Sequence, residues 1–277
     1  MKKNIDETVV SGFGSEWTRF DHSDISPGQL VGIFEQYFRL FPWDSLPENA
    51  VGFDLGCGTG RWARFVAPRV GTLHCVEPSA ALTVARKNLQ PFDNCVFHET
   101  DLDSWDVEHE SMDFGYALGV LHHMPDTRAA VRRCVEKLKP GAPLLLYLYY
   151  AFDNRPWWFR GIWRTSDLAR RSIARFPTGL KNATADAIAL SVYLPLARVA
   201  RTLEAFGVNV ENVPLSAYRD RSLYMMRTDA LDRFGTRMEH RFTRAEVEEM
   251  MLHAGLSNVR VSDEPPYWTA VGTRHAS

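Results

Sequence analysis

Three glycines at alternate positions, Gly56, Gly58 and Gly60, follow an apolar run and an aspartate, Asp54, in the stretch FDLGCGTGRW (residues 53–62). Glycine at this spacing lets backbone turn sharply and come closer to a ligand than a Cβ would allow. Two further carboxylates, Glu77 and Asp101, end later apolar runs, where they could accept hydrogen bonds from the same ligand. Adjacent imidazoles, His122 and His123, follow a fourth such run, and an imidazole titrates in the range useful to a general base. His123 is the first choice and His122 the second, since neighbouring side chains at a strand end point in different directions. Tyr149 and Tyr150, which end a fifth run, are alternative site residues. No Asp-Asp-Asn constellation is legible, and no metal is expected.

These residues need a scaffold, and the chain supplies one in alternating strand and helix patterns. AVGFDLG, TLHCVEP, NCVFHETD, MDFGYALGV and APLLLYLYY read as five strands. Between the last two, Val131, Cys134, Val135 and Leu138 form one buried stripe on a helix over 127–138. After Tyr150 the rhythm stops. It resumes at Thr243 and Glu246, a capping-box pair, with Gly255 suited to end that helix. SNVRVS and YWTAVGTR then read as two strands joined by a turn containing Pro265 and Pro266. The expected fold is α/β: a Rossmann-like, seven-stranded, mostly parallel sheet with an antiparallel C-terminal hairpin, a mainly helical insertion after the fifth strand and an N-terminal cap. The expected domains are a cap or lid at 1–49, a ligand-binding domain at 50–150 and 242–277, and an insertion at 151–241 that caps the acceptor site. The insertion should be helical but kinked or split at Pro195.

The dinucleotide fingerprint G-x-G-x-x-G needs glycine where Arg61 stands, which counts against NAD. The spacing Asp-x-Gly-x-Gly-x-Gly from Asp54 to Gly60 resembles motif I of class I S-adenosylmethionine-dependent methyltransferases. Glu77, at the end of the second strand, and Asp101, just past the third, agree with that resemblance, as does the C-terminal hairpin. It implies S-adenosyl-L-methionine as cofactor, with Asp54, Gly56, Cys57, Gly58 and Gly60 at its methionine end. Glu77 with Pro78 would lie on its ribose, Asp101 and Leu102 on its adenine, and Gly119 on its floor. Arg61 reads equally as a cofactor-carboxylate contact or a surface ion pair. FGSEWTRF (residues 13–20) and LHHMPD (residues 121–126) are similar to stretches of bacterial methyltransferases that modify sugars, polysaccharides and secondary metabolites. By that likeness Trp17, Arg19 and Phe20 would close over cofactor or substrate. PPYW at 265–268 is similar to a motif of amino-group methyltransferases acting on nucleic-acid bases, but it lies at the last hairpin rather than after the fourth strand.

Methyl transfer from a sulfonium is an in-line displacement with a good leaving group, so an enzyme contributes chiefly alignment. A hydroxyl acceptor additionally needs a base; an amine mainly has to be neutral. The resemblance therefore implies a methyltransferase, read as O-methylating a sugar, glycan or secondary metabolite. An RNA or protein methyltransferase and a non-catalytic cofactor-binding scaffold are the alternatives.

Composition bounds the partners. The 277 residues are 45% hydrophobic and 24% charged, with 32 basic against 34 acidic side chains, so bulk charge gives no reason to expect a nucleic-acid partner. Between Arg155 and Phe206, however, nine basic residues face three acidic ones, and Trp157, Trp158 and Trp163 interleave with them. An anionic small substrate, a lipid interface, an RNA face, a solvated surface and a dimer contact all fit this pattern. Cys57, Cys75, Cys95 and Cys134 fall in core elements and fit neither a disulfide framework nor a zinc site, which suggests reduced, buried thiols in a cytoplasmic protein. No secretory leader and no uninterrupted transmembrane run is evident. A peripheral membrane contact and a homodimer stay open.

Overall fold

The computed structural model describes residues 3–19 and 27–276, with the backbone alone at residues 13, 15–19 and 27. In chain order its elements are α1 (Glu7–Arg19), α2 (Pro27–Phe38), β1 (Val51–Leu55), α3 (Ala63–Val66), β2 (Thr72–Val76), α4 (Ala81–Asn88), β3 (Cys95–His98), β4 (Phe114–Leu118), α5 (Thr127–Lys137) and β5 (Pro143–Tyr147). There follow α6 (Trp157–Ile173), α7 (Thr178–Ile188), α8 (Leu194–Ala205), α9 (Leu223–Gly235), α10 (Arg244–His253), β6 (Leu256–Val261) and β7 (Thr269–Arg274). The chain divides into two compact units: one holds residues 27–151 and 238–277 with α1, the other residues 152–237.

The first unit is built on a sheet of order β3-β2-β1-β4-β5-β7-β6. β1 to β5 are parallel, and β7 pairs antiparallel with both β5 and β6. β4 and most of β1 and β5 are buried along their length, which is why they read as continuous apolar runs rather than alternating ones. From β1 the chain proceeds outward through β2 and β3, then returns to β4 and goes the other way. The carboxyl ends of β1 and β4 are therefore neighbours at a switch point, where open α/β sheets bind ligands.

The helices close both faces. In α5, Val131, Cys134 and Val135 are buried in a core shared with Leu144, Leu146 and Met251, and the Asp126 side chain caps the helix by accepting from Ala129 N at 2.9 Å. The capping box of α10 forms as its sequence implies, between Thr243 and Glu246. On α2, Phe34 and Phe38 are buried and stack at 4.3 Å, and Phe38 meets Tyr116 of β4 edge-on at 5.2 Å. This N-terminal helix is thus a packed layer on the sheet. Three details depart from expectation. The helix after the glycine loop is a single turn, α3, followed by a 3-10 turn containing Pro68. Cys95 is half-exposed because β3 is an edge strand, whereas the other three thiols are buried. Thr178–Ala205 is long and apolar enough, by length and composition, to cross a membrane, although no uninterrupted apolar run marks it in the sequence.

The second unit is helical. Its core joins Ile173 of α6, Ala197 of α8 and Met226, Ala230 and Phe234 of α9. The split expected at Pro195 occurs just before it: residues Ala189–Tyr193 form a π-helical segment between α7 and α8, and Pro195 occupies the first turn of α8, where its missing N–H costs nothing.

Candidate active site

The loop after β1 turns in three steps that only glycine takes without strain: Gly56, Gly58 and Gly60 have φ of +70°, +55° and +76°. A Cβ on Gly56 would lie 2.4 Å from the Val120 side chain, so the loop and the end of β4 approach each other at the closest permitted distance. Gly56 N and Cys57 N both donate to Val76 O, at 2.7 and 3.2 Å, which ties the loop to the end of β2. Beside it Glu77 accepts from Gly58 N at 3.1 Å and Ser79 N at 2.9 Å, one bond to each carboxylate oxygen. Further lone pairs on both oxygens stay available. Burial pushes the Glu77 carboxyl up, against the hydrogen bonds from Ser79 and Gly58. Pro78, next to it, is half-buried.

Asp54 lies almost wholly buried in β1, and its Oδ2 has no hydrogen-bond partner among the described residues. Burial, with the Glu77 charge adding to it, pushes its carboxyl up to about 8. The buried Tyr116 hydroxyl on the neighbouring strand faces this carboxyl and opposes the shift. A buried polar atom left like Asp54 Oδ2 is costly, and a ligand that supplies a donor relieves the cost. Past β3, Asp101 accepts from Ser104 N at 2.9 Å, Ser104 Oγ at 3.0 Å and Lys3 Nζ at 3.2 Å. Burial works against its charge, but these bonds and the Lys3 ammonium outweigh it and hold the carboxyl below the usual range. Leu102 is buried in the core. Gly119 follows β4 at φ +83° and donates its N–H to Tyr147 O at 3.2 Å. Arg61 lies over the Trp62 ring, its guanidinium carbon 4.2 Å from the centroid.

Three carboxylates at successive strand ends around a loop too close for side chains fit S-adenosylmethionine. Asp54, Gly56, Cys57, Gly58 and Gly60 would hold its amino-acid end, Glu77 its ribose, and Asp101 with Leu102 its adenine. Trp17 and Arg19 fall on the backbone of α1, with side chains outside the description, and Phe20 lies outside the described residues. No motif in the sequence marks Lys3 and Asn4, which also reach this edge. Asn4 N donates to Asp103 at 2.8 Å, and its amide exchanges bonds with the Asp126 backbone, both at 2.7 Å.

Beyond β4 the backbone makes one 3-10 turn, Leu121–His123. His122 is fully buried, its ring stacked on Tyr149 at 3.8 Å, and neither ring nitrogen has a partner among the described residues. Burial first, then His123, Arg241 and His240, drive its pKa well below 6.5, so the ring is neutral. His123 Nδ1 lies 2.8 Å from Met238 O; a carbonyl only accepts, so Nδ1 carries the proton and Nε2 the lone pair. Residues 238–242, all but the last assigned from sequence to the insertion, run alongside: His240 N donates to His122 O and Phe242 N to Tyr149 O, each at 2.9 Å. Arg241 donates to Glu239 at 2.6 Å and to Tyr150 O at 3.2 Å, and lies 5.0 Å from the Tyr149 centroid. The charged cluster MEHR ahead of the capping box was the available signal. Among the described residues no group of three or more His, Cys, Asp or Glu side chains could hold a metal.

Comparisons with known proteins bear on the domain that carries this edge. Residues 53–141 match the family model described as a methyltransferase domain. The chain is 28% identical over 152 residues to phosphoethanolamine N-methyltransferase 2 of Caenorhabditis elegans, which covers 52% of this chain and 34% of that protein. It is 32% identical over 113 residues to trans-aconitate 2-methyltransferase of Variovorax paradoxus (strain S110), 40% of this chain and 41% of that one. The chain thus aligns with well under half the length of either curated relative. In fold it is similar to an O-methyltransferase family protein from Burkholderia thailandensis, at TM-score 0.55 and 16% identity, over 95% of this chain and 63% of the other. Residues 53–141, at the centre of the sheet, thus carry a methyltransferase domain, and the strand order around them is that of the Rossmann-like methyltransferase fold.

Proposed function

We propose that the protein transfers a methyl group from S-adenosylmethionine to a hydroxyl of a small molecule, such as a sugar, glycan or secondary metabolite, with His122 as the proton acceptor. The observation that carries this reading is the buried, neutral His122 ring with two unpartnered nitrogens, one switch-point loop away from Gly56. Bound cofactor supplies an activated methyl group, so alignment is the main requirement. Glu77 and Asp101 fix the nucleoside, and Asp54 faces the cationic amino-acid end. A neutral imidazole next to the acceptor hydroxyl takes its proton as the new O–C bond forms. Tyr149 orients that ring by stacking, and His123, tethered to Met238 O, positions the turn.

An amine acceptor is the second reading, favoured by the likeness to a phosphoethanolamine N-methyltransferase. Both curated relatives are named for small-molecule acceptors, which supports that class over RNA or protein. We further propose that residues 152–237 select the acceptor. The test is incubation with methyl-tritiated S-adenosylmethionine and a fractionated bacterial extract. Label in a small-molecule or glycan fraction is expected, with mass spectrometry and NMR of the labelled product separating O- from N-methylation; label in RNA or protein overturns the acceptor class.

A further inference from the structure

The helical unit contains a helix turned inside out. α6 buries Asp167, Arg170 and Ile173, and half-buries Phe159 and Trp163. Its interior polar pair is fully used: Arg170 donates to Asp167 at 2.6 Å and to Thr236 O at 2.9 Å, and Asp167 also accepts from Arg171 at 2.9 Å. The outward side carries the apolar residues instead. Trp157 is 79% exposed, Leu168 66%, Ile162 50% and Trp158 38%. At about 100° per residue, Trp157, Gly161, Thr165 and Leu168 form one line, with Trp158, Ile162 and Ala169 beside it. Exposed Arg160, Arg164 and Arg171 flank this face at i, i+4 and i+11.

Exposed apolar residues continue in the chain beyond α6: Phe176 before α7, Leu180 on it, and Leu190, Val192, Val199 and Phe206 farther along. Thr178–Ala205 is the stretch apolar enough to span a membrane. Yet Ala185, Ala189, Tyr193, Ala197 and Ala200 are buried, Ala189, Tyr193 and Ala197 against α9 within the unit. One side of the run is already committed to a protein core. That describes a helix lying on a surface, with its free apolar side outward.

Charge chooses the occupant. From residue 157 to 188 the acids are Asp167 and Asp186, and both are in ion pairs: Asp167 with Arg170 and Arg171, and Asp186 with Arg227. Arg160, Arg164, Arg171, Arg175 and Lys181 lie on the same two helices and the turn between them. A second copy docking through this face would set these cations against their own counterparts with no acid to meet them. An anionic phospholipid surface meets both needs, taking the apolar side chains into its interface and neutralising the guanidinium groups. We infer that the exposed apolar and basic face of α6 binds the protein peripherally to bilayers rich in anionic phospholipid, with Trp157 and Trp158 as interfacial anchors.

The experiment is flotation of the full chain with vesicles of phosphatidylcholine alone and of phosphatidylcholine mixed with phosphatidylglycerol. The protein should float with the mixed vesicles, much less with the neutral ones, and be released by high salt. Arg160→Glu with Arg164→Glu should weaken binding about tenfold or more, and Trp157→Ala with Trp158→Ala should do so even at low salt. All four positions are exposed, so circular dichroism and cofactor affinity should stay as in wild type. Equal recovery with and without vesicles overturns the inference, as does undiminished binding by the arginine variant. A concentration-dependent dimer abolished by the tryptophan variant, without vesicle binding, would assign the face to a second copy instead.

Discussion

The edge of the sheet and the surface of the helical unit break the usual rule of burial in opposite directions. At the sheet edge, Asp54 Oδ2 and both nitrogens of His122 are buried without hydrogen-bond partners among the described residues. On α6 the buried Asp167 and Arg170 are hydrogen-bonded, and it is the apolar side chains that lack cover. Unmet hydrogen bonds mark a place for a small polar ligand, because an apolar surface could not relieve them. Uncovered apolar area marks a place for something large. The same chain therefore carries two kinds of incompleteness, and each can be perturbed without the other.

The largest effect should come from removing the proposed base. His122→Asn should lower turnover on a hydroxyl acceptor by about 10²- to 10⁴-fold while cofactor affinity, read by calorimetry, hardly changes. His123→Asn, which loses a tether rather than the base, should lower it less; the reverse order would exchange the two roles. Next is the loop. Gly56→Ala forces a side chain into a left-handed backbone and against Val120, and should cost about 1–3 kcal/mol of stability in a denaturant titration, together with cofactor binding. A substitution on the outward face of α6, such as Leu168→Ala, should change neither.

A third test uses pH. Asp54 keeps its proton up to about pH 8 in the free protein, whereas a cationic ligand beside it favours the carboxylate. Cofactor binding at neutral pH should then release a proton, and affinity should rise by up to about tenfold per pH unit until it levels off near 8. Calorimetry in buffers of different ionisation enthalpy reads this directly, and Asp54→Asn should remove the slope. The smallest effect separates the two units by acid. His74 and His98, 2.8 Å apart, have pKa values lowered below 6.5, mainly by burial, so both are neutral in the folded sheet. Their contribution is complete above about pH 6.5 and lost as pH falls below it. In the helical unit Asp167 is held below 3.8, burial being outweighed by Arg170 and Arg171, so its contribution lasts until far lower pH. Hydrogen exchange between pH 7.5 and 5 should therefore quicken in β2 and β3 before it does in α6.

The sheet was legible because its signals are local. Each buried strand is a short apolar run, and a glycine at positive φ has few substitutes, so Gly56 to Gly60 announce their loop in the sequence itself. Glu77 and Asp101 followed from their places at strand ends. The acceptor side was less legible. Glu239, His240 and Arg241 reach His122 and Tyr149 through backbone pairing of Phe242 with Tyr149 and Ala151, a long-range contact with no pattern of its own. The inversion of α6 was not legible at all. Helical periodicity says that two faces differ, but Asp167 and Arg170 can lie inside only because Thr236 O and each other complete their bonds, and that needs the fold.

The most direct test of the central claim, that this sheet edge holds S-adenosylmethionine through Glu77, is a calorimetric titration of the wild type and of Glu77→Ala with that cofactor. Single-site binding by the wild type, weakened by about 1–3 kcal/mol in the variant through loss of charge-assisted hydrogen bonds, is the predicted result. No binding by the wild type, or equal affinity in the two proteins, would contradict it.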